Sequence, residues 1–423
     1  MGLIRRIVHS LRPAANQRPR PGQLLERRPE DSWRDYPADG LTPAELAAIL
    51  KSVDSGSPAD AMELYEQMEE NDAHLYSVAN TRRLAVTGLD WQIVSAAELR
   101  TDIDRVLADE AASYARETLR AIETFDEVLQ HLSLAIGRNI AMAELVWDVV
   151  GGAHRLVDLA AVDFTRIAFG ETDEPRVLTQ AEPIDGIPLP PNKFIVHCPH
   201  AVTGHPTRGG LLRVTALAYL GKHYAVKDWL TFAEVFGMPV RIARYEPSAT
   251  PEEKRELLGM LQSLGTDAAA IFSKGVELEL LEANRGTPAP PYEALCNFMN
   301  REMSKAWLGQ TLTTETVGAA GTLTVAKVHE EVRQDLREDD LRKEGRTIVR
   351  DLLGPLVQLK FGRDVPVPAF QRKFEHARDL RELTDILSAA VNELGVRVPA
   401  RWAHETLGIP QPEAGADVLS PAG

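Results

Sequence analysis

Apolar residues recur at helical spacing in long blocks and at alternate positions in short ones, a mixture that predicts an α+β fold. The globular pattern starts at Leu41. Thr42-Pro43 ahead of AELAAIL supplies a helix N-cap followed by proline at the first helical position. The stretch Val53-Asp54-Ser55-Gly56-Ser57-Pro58 reads as a turn, and one long helix is predicted from about Pro58 to Thr87, ended by Gly88. LDWQIVS (89–95) alternates as a strand, and 99–137 returns to a helical rhythm. AMAELVWDVV, RLVDLAAV, DFTRIAFG and KFIVHC read as short strands joined by turns, so 41–208 is expected to form one mixed α+β unit.

Residues 209–237 differ. GGLLRVTALAYLGKHYAVKDWLTFAEVFG runs for about eight helical turns without a proline, and Leu212, Val214, Leu217, Leu220, Tyr224, Val226, Trp229, Phe232 and Val235 spread its apolar surface almost all round. Such a helix needs cover on every side, which neighbouring copies of the chain could supply. MPVRIARY then reads as a strand, PEEKRELLGMLQSL as a capped helix, and AAIF and VELELLE as two further strands. This β-α-β-β insert, 238–290, separates the first rod from a second helix, PYEALCNFMNREMSKAWLG, at 291–309. QTLTTETVGAAGT (310–322) has neither period and reads as an exposed loop.

A further long helix is predicted at 323–353. Val325, Val328, Val332 and Leu336 lie on one stripe, and the remaining faces carry EEVRQDLREDDLRKEGR, read as solvated or inter-subunit. The segment from 361 is punctuated by Pro366, Pro368, Pro399, Pro410 and Pro412 around one helix, 378–394. At the other end, 1–40 reads as a flexible basic arm, with Pro13, Pro19, Pro21, Pro29 and Pro37. Within it Leu3, Ile4, Ile7, Val8 and Leu11 sit at helical spacing, as a short helix docking on a partner would.

Composition narrows the function. The chain has 423 residues, 44% hydrophobic and 26% charged, enough for sizeable cores in more than one structural unit. Its formal net charge of −15 repels a polyanion on average and argues against tight, static nucleic-acid binding. Cys198 and Cys296 make no disulfide framework, which suits a reducing cytoplasm. No apolar run reaches membrane-spanning length, and MGLIRRIVHSLR lacks the apolar core and cleavage site of a secretory signal.

A search for chemistry returns little. No phosphate-binding glycine loop, nucleophile elbow or His-Glu-x-x-His helix is present. His197, Cys198, His200 and His205 fall close together in HCPHAVTGH, but adjacent residues of a strand point to opposite faces and no second ligand pair exists. The expected role is a strand end plus turn; the alternative is a metal-dependent hydrolase using His197, Cys198 and His200. Glu69-Glu70 and Asp339-Asp340 read as solvated carboxylates, and Trp91 and Trp147 as core. No cofactor is expected.

Three blocks, in this order and spacing, are similar to the Mu-type phage portal family: LYEQMEENDAHLYSVANTRRLAVTGLDWQI (64–93), GHPTRGGLLRVTALAYLGKHYAVKDWLTFAEVFGMPVRI (204–242) and WLGQTLTTETVGAAGTLTVAKVHEEVRQD (307–335). The resemblance covers roughly 41–360 and fades at 1–40 and 361–423. It implies a structural conduit rather than an enzyme: a ring of about twelve subunits at a capsid vertex, carrying double-stranded DNA without sequence specificity. It implies 41–208 as wing, 209–237 and 291–309 as stem, 238–290 as clip, 310–322 as channel loop, 323–360 as a helix crossing the wing toward the crown, and 361–423 as crown or tail. Stem packing would use Leu217, Leu220, Tyr224, Trp229 and Phe232. DNA would pass Gln310, Thr311, Thr313, Thr314, Glu315, Thr316, Gly318, Gly321 and Thr322, with Lys305 and Lys327 flanking the loop as phosphate contacts. Implied partners are a terminase packaging motor, the major capsid or scaffold protein and a head–tail adaptor. The implied location is the virion, after assembly in the host cytoplasm. Another head–tail connector or adaptor is the remaining alternative.

Overall fold

The computed structural model describes residues 22–25, 36–236, 241–245, 248, 250–255, 259, 269–273, 291–311, 322–373, 380–407, 409 and 411. It divides into two units, Met1–Arg372 and Lys373–Gly423, described separately.

The first described helix of the first unit is α1 (Pro43–Asp54), which starts at the Thr42 N-cap that the sequence suggested; Glu45 completes a capping box with it. The single helix expected over 58–87 is two helices, α2 (Ala59–Asn71) and α3 (Ala73–Thr87). Asp72 is extended, and its carboxylate accepts the His74 and Leu75 amides at 2.9 and 3.0 Å, so a local cap outcompetes helix continuation. β1 (Trp91–Val94) follows. The helical region expected at 99–137 divides into α4 (Ala96–Leu99), α5 (Arg105–Arg120), α6 (Phe125–Ser133) and α7 (Ala135–Arg138), with Asp104 capping α5.

β2 (Ala141–Val150) is the centre of an antiparallel sheet, flanked by β3 (Ala153–Ala161) and β7 (Phe194–His197), in the order β3-β2-β7. Its side chains alternate between two cores: Met142 faces one, while Ala141, Ala143 and Leu145 face the other. The first core draws on α1, α2 and α3 and the second on α5 and α6. DFTRIAFG is half turn and half strand, because Asp163 caps a 3-10 turn at Phe164–Arg166 before β4 (Ile167–Phe169). β4 pairs with β5 (Pro175–Val177), and β5 with β6 (Ile187–Pro188).

α8 (Leu211–Phe236) is the first rod. Beyond it β8 (Arg241–Tyr245) pairs in parallel with β9 (Ala269–Ser273), and 251–255 between them is helical. That gives the first three elements of the β-α-β-β insert; VELELLE lies outside the described residues. α9 (Pro291–Leu308) is the second rod, and α10 (Thr322–Ile348) the long charged helix.

The helix expected to stop at 353 instead continues through a π-helical turn, Val349–Leu353, into α11 (Gly354–Phe361). Pro355 has no N–H to donate, and the wide turn ahead of it absorbs the missing bond, so the axis passes through. β10 (Ala369–Arg372), unforeseen between Pro366, Pro368 and the tail, pairs antiparallel with β1 from Trp91↔Arg372 to Val94↔Ala369.

Part of the predicted flexible arm is held. The amides of Leu24 and Leu25 both donate to the buried Glu144 carboxylate, Leu25 at 2.9 Å. Lys193 Nζ bridges Glu144 at 2.8 Å and the Gly22 carbonyl at 2.6 Å, and Leu25 is buried in the first core. Two amides and an ammonium together offset the desolvation of a fully buried carboxylate.

The second unit contains α12 (Leu380–Asn392), near the predicted 378–394, and α13 (Ala400–Leu407), a helix the proline pattern concealed.

Candidate functional site

Of the residues that sequence reading selected, the stem-packing set lies on α8, Lys305 on α9, and Thr322 and Lys327 on α10. α8 starts beside α7: a Cβ on Gly210 would lie 2.4 Å from the Gly137 carbonyl oxygen, so only glycine permits this approach. α8 and α9 run antiparallel. Phe232 and Tyr292 meet at their far end with ring centroids 5.9 Å apart, Gly221 faces Met299, and Leu212 and Trp307 both abut Gly137.

The first half of α8 buries Leu212, Ala216, Tyr219 and Leu220 in the first core. Arg213 forks onto Asp54 at 3.0 and 3.1 Å, Lys222 reaches Asp72 at 2.8 Å, and the Tyr224 hydroxyl donates to the Leu41 carbonyl at 3.2 Å. Of the five residues assigned to stem packing, Leu220 is buried, while Tyr224, Trp229 and Phe232 are half-buried. Leu217 is 70% exposed and Val214 63%. At 100° per residue these two lie on the side away from the Leu212-Ala216-Tyr219-Leu220 stripe.

α9 ends at a glycine with a specific duty. Gly309 is left-handed (φ 68°), and a Cβ there would lie 2.9 Å from Val332 Cγ1 of α10. The connection thus leaves α9 in contact with Val332 and Leu336, two members of the predicted apolar stripe. Gln310 is buried and Thr311 half-buried. Thr313, Thr314, Glu315, Thr316, Gly318 and Gly321 lie outside the described residues, as do the side chains of Val325 and Lys327. Thr322 opens α10 rather than closing the loop. Lys305 is exposed and paired with Glu302 at 2.6 Å, three residues back on the same helix.

The expectation that Asp339-Asp340 and Glu69-Glu70 are solvated is corrected at two positions. Glu69 is buried between Arg83 (2.7 Å) and Arg138 (3.0 Å). Asp340 is 4% exposed, with its two oxygens on Arg82 Nε and Nη2 at 2.9 and 3.2 Å. Asp340 begins a polar stripe at 340, 344, 347 and 351 that sequence reading missed. Glu344 takes both arms of Arg372 at 2.7 and 2.9 Å, Thr347 bonds His197 Nδ1 at 2.9 Å, and Asp351 accepts the Val196 amide at 3.0 Å. The intervals of four, three and four are those of one helix face, and this was the available signal.

The His/Cys cluster has other duties. Its turn is organised by left-handed Asn139, whose side chain donates to the His200 and Pro206 carbonyls and accepts the His200 amide. Burial holds His197 down to about 4, and His205 pairs with Thr207 at 2.7 Å beneath Phe169. Cys198 faces the other way, exposed. Among the described residues no three His, Cys, Asp or Glu side chains converge to hold a metal, and no helix is long and apolar enough to cross a membrane. Trp91 packs on Phe125 and Phe370 and donates Nε1 to Asp126, and Trp147 donates to the Asn192 carbonyl; both are half-buried.

The fold is shared with a chain in the virion of a native gene transfer agent particle, with a TM-score of 0.52 at 12% identity, over 87% of this chain and 94% of that one. The model for the portal protein of Mu bacteriophage matches residues 62–409, and the chain belongs to that family. The match reaches well past 360, further than the resemblance read from sequence. The chain is 31% identical over 393 residues to the Mu-like prophage FluMu protein gp29 of Haemophilus influenzae, covering 92% of this chain and 74% of that protein. It is 29% identical over 382 residues to the portal protein of Escherichia phage Mu, covering 90% and 73% respectively. Membership makes it a phage portal protein, structural rather than enzymatic.

Proposed function

We propose that the chain assembles with about eleven copies of itself into a ring at a capsid vertex and conducts double-stranded DNA during packaging and ejection. The family match over 62–409 carries this reading. In it, 41–208 is the wing, α8 and α9 the stem, 238–290 the clip, 310–322 the channel loop, and α10 with α11 the span toward a crown in 361–423. The exposed Val214 and Leu217, opposite the face that α8 buries in its own subunit, suit a neighbouring copy as cover. The net charge of −15 and a loop whose single charge is Glu315 favour sliding over sticking. The clip would meet the terminase motor and later the head–tail adaptor, and the outer wing the capsid or scaffold protein.

The test is co-expression with the cognate capsid and scaffold proteins, followed by negative-stain imaging and mass measurement. Rings of about a dozen subunits with an axial hole are expected. A stable monomer at high concentration and low salt, alone and with those partners, would overturn the reading.

A further inference from the structure

We propose that Arg82 is the positioning residue that fixes the end of α9 against the body of α10 and thereby sets the tilt of α10 and the place of its first residue, Thr322; this rests on the portal reading above. Arg82 belongs to α3, outside both helices. Its guanidinium holds the two oxygens of Asp340 on one side and donates Nη1 to the Trp307 carbonyl at 3.0 Å on the other. That carbonyl lies in the last turn of α9, where no intrahelical donor is available. One planar group therefore fixes the end of the helix entering the loop against the body of the helix leaving it.

Geometry makes Asp340 a fulcrum. From Thr322 to Asp340, α10 runs 340 − 322 = 18 residues, about 27 Å at the helical rise. A tilt of about 10° at the fulcrum would displace the loop end by about 5 Å over that length. Halfway along, Gly309 lets α9 close on Val332 and Leu336, so the spacing of the two helices is already tight where the loop departs. The pair is desolvated, with side chains 8% and 3% exposed, so salt screens it little. The fork is rigid, whereas lysine in its place could satisfy one partner at a time. Farther along α10, Glu344–Arg372 and Thr347–His197 hold the helix to the body without touching α9. Loss of Arg82 should therefore loosen the loop end selectively.

The experiment compares wild-type protein, Arg82→Met, Arg82→Lys and Lys343→Met, co-expressed with capsid and scaffold proteins. Lys343, half-buried, pairs with Asp339 within α10 and serves as control. Amide hydrogen exchange is read at 305–311 and, as reference, in β2 and β3. Arg82→Met should exchange at least tenfold faster at 305–311, Arg82→Lys less so, and Lys343→Met not at all, with β2 and β3 unchanged in all. DNA-filled heads should fall at least tenfold for Arg82→Met while ring abundance holds. Unaltered exchange at 305–311, acceleration spread equally into β2 and β3, or wild-type yields of filled heads would each overturn the proposal. If Arg82→Met does not fold, Arg82→Lys decides it by the same readouts. If the wild-type chain forms no ring, the portal reading fails, and exchange at 305–311 still decides whether Arg82 fixes the two helices.

Discussion

α8 and α10 are rods of similar length with opposite compositions, and each defies the simple expectation for its composition. α8 is apolar nearly all round, yet it leaves Val214, Leu217 and Leu230 in solvent. α10 is dense in charge, yet Asp340, Glu344 and Thr347 are buried. Partners on the two helices explain the contrast. The inner stripe of α8 meets the first core, α9 packs along part of the remainder, and Val214, Leu217 and Leu230 stay exposed among the described residues. The inner stripe of α10 meets Arg82, Arg372 and His197, so its carboxylates are neutralised where they are desolvated. Apolar surface is non-directional and can seal against another copy, whereas paired charges accept one register only. The greasy rod is suited to assembly and the charged rod to fixed placement within the subunit.

The most forceful way to break this contrast is to remove a charge from α10. Glu344→Ala strands Arg372, leaving its guanidinium with the Leu89 carbonyl and the Phe370 ring and placing an uncompensated cation beside the β1–β10 pairing. A buried charge left alone costs about 3–5 kcal/mol. Urea unfolding should show a loss of that order, and a change below about 1 kcal/mol would mean that the stripe does not hold α10. Replacing both partners, Glu344→Leu with Arg372→Met, should restore much of the loss, because the apolar pair carries no desolvation penalty.

A second test uses acid. His197 bonds Thr347 of α10, and burial lowers its pKa from 6.5 to about 4, with the nearby Arg350 adding to the effect. Because the folded value lies below the unfolded one, the unfolded state binds more protons between those limits. The contribution is fully present above about pH 6.5 and is lost as the pH falls through about 4. Its ceiling is roughly 3 kcal/mol for a shift of this size. Unfolding free energy measured from pH 7 down to 4 should decline, and His197→Gln should flatten the decline. An identical slope in both proteins would place the acid sensitivity elsewhere.

Much of this molecule was legible in its sequence where one local signal had no competitor. Thr42-Pro43 gave the start of α1, the unbroken run 209–237 gave α8, and short strand-like segments gave β2 and β7. Legibility failed where a polar side chain served the backbone or a distant partner. Asp72 reads as one more charge in a helix until its carboxylate is seen capping α3. Asp340 reads as solvated because Arg82, 258 positions away, is invisible to local periodicity. β10 was missed because a four-residue strand is defined by its partner β1 rather than by its own pattern. The site was legible as a set of elements, and its fixing contacts were not.

The gentlest test falls on α8. Leu217→Glu changes a side chain that is already in solvent in the isolated subunit, so unfolding of the subunit should move by no more than about 0.5 kcal/mol. The same change places a carboxylate on the surface assigned to the neighbouring copy, where a charge without a partner is strongly disfavoured. Sedimentation or mass photometry should therefore show rings lost and monomers gained at unchanged subunit stability. Leu217→Met, which keeps the surface apolar at similar volume, should still assemble. Intact rings in the glutamate variant would show that the exposed face of α8 is not covered by another copy. A drop in subunit stability matching the loss of rings would show that Leu217 is packed within its own chain, and α8 would then be an ordinary core helix, no different in kind from α10.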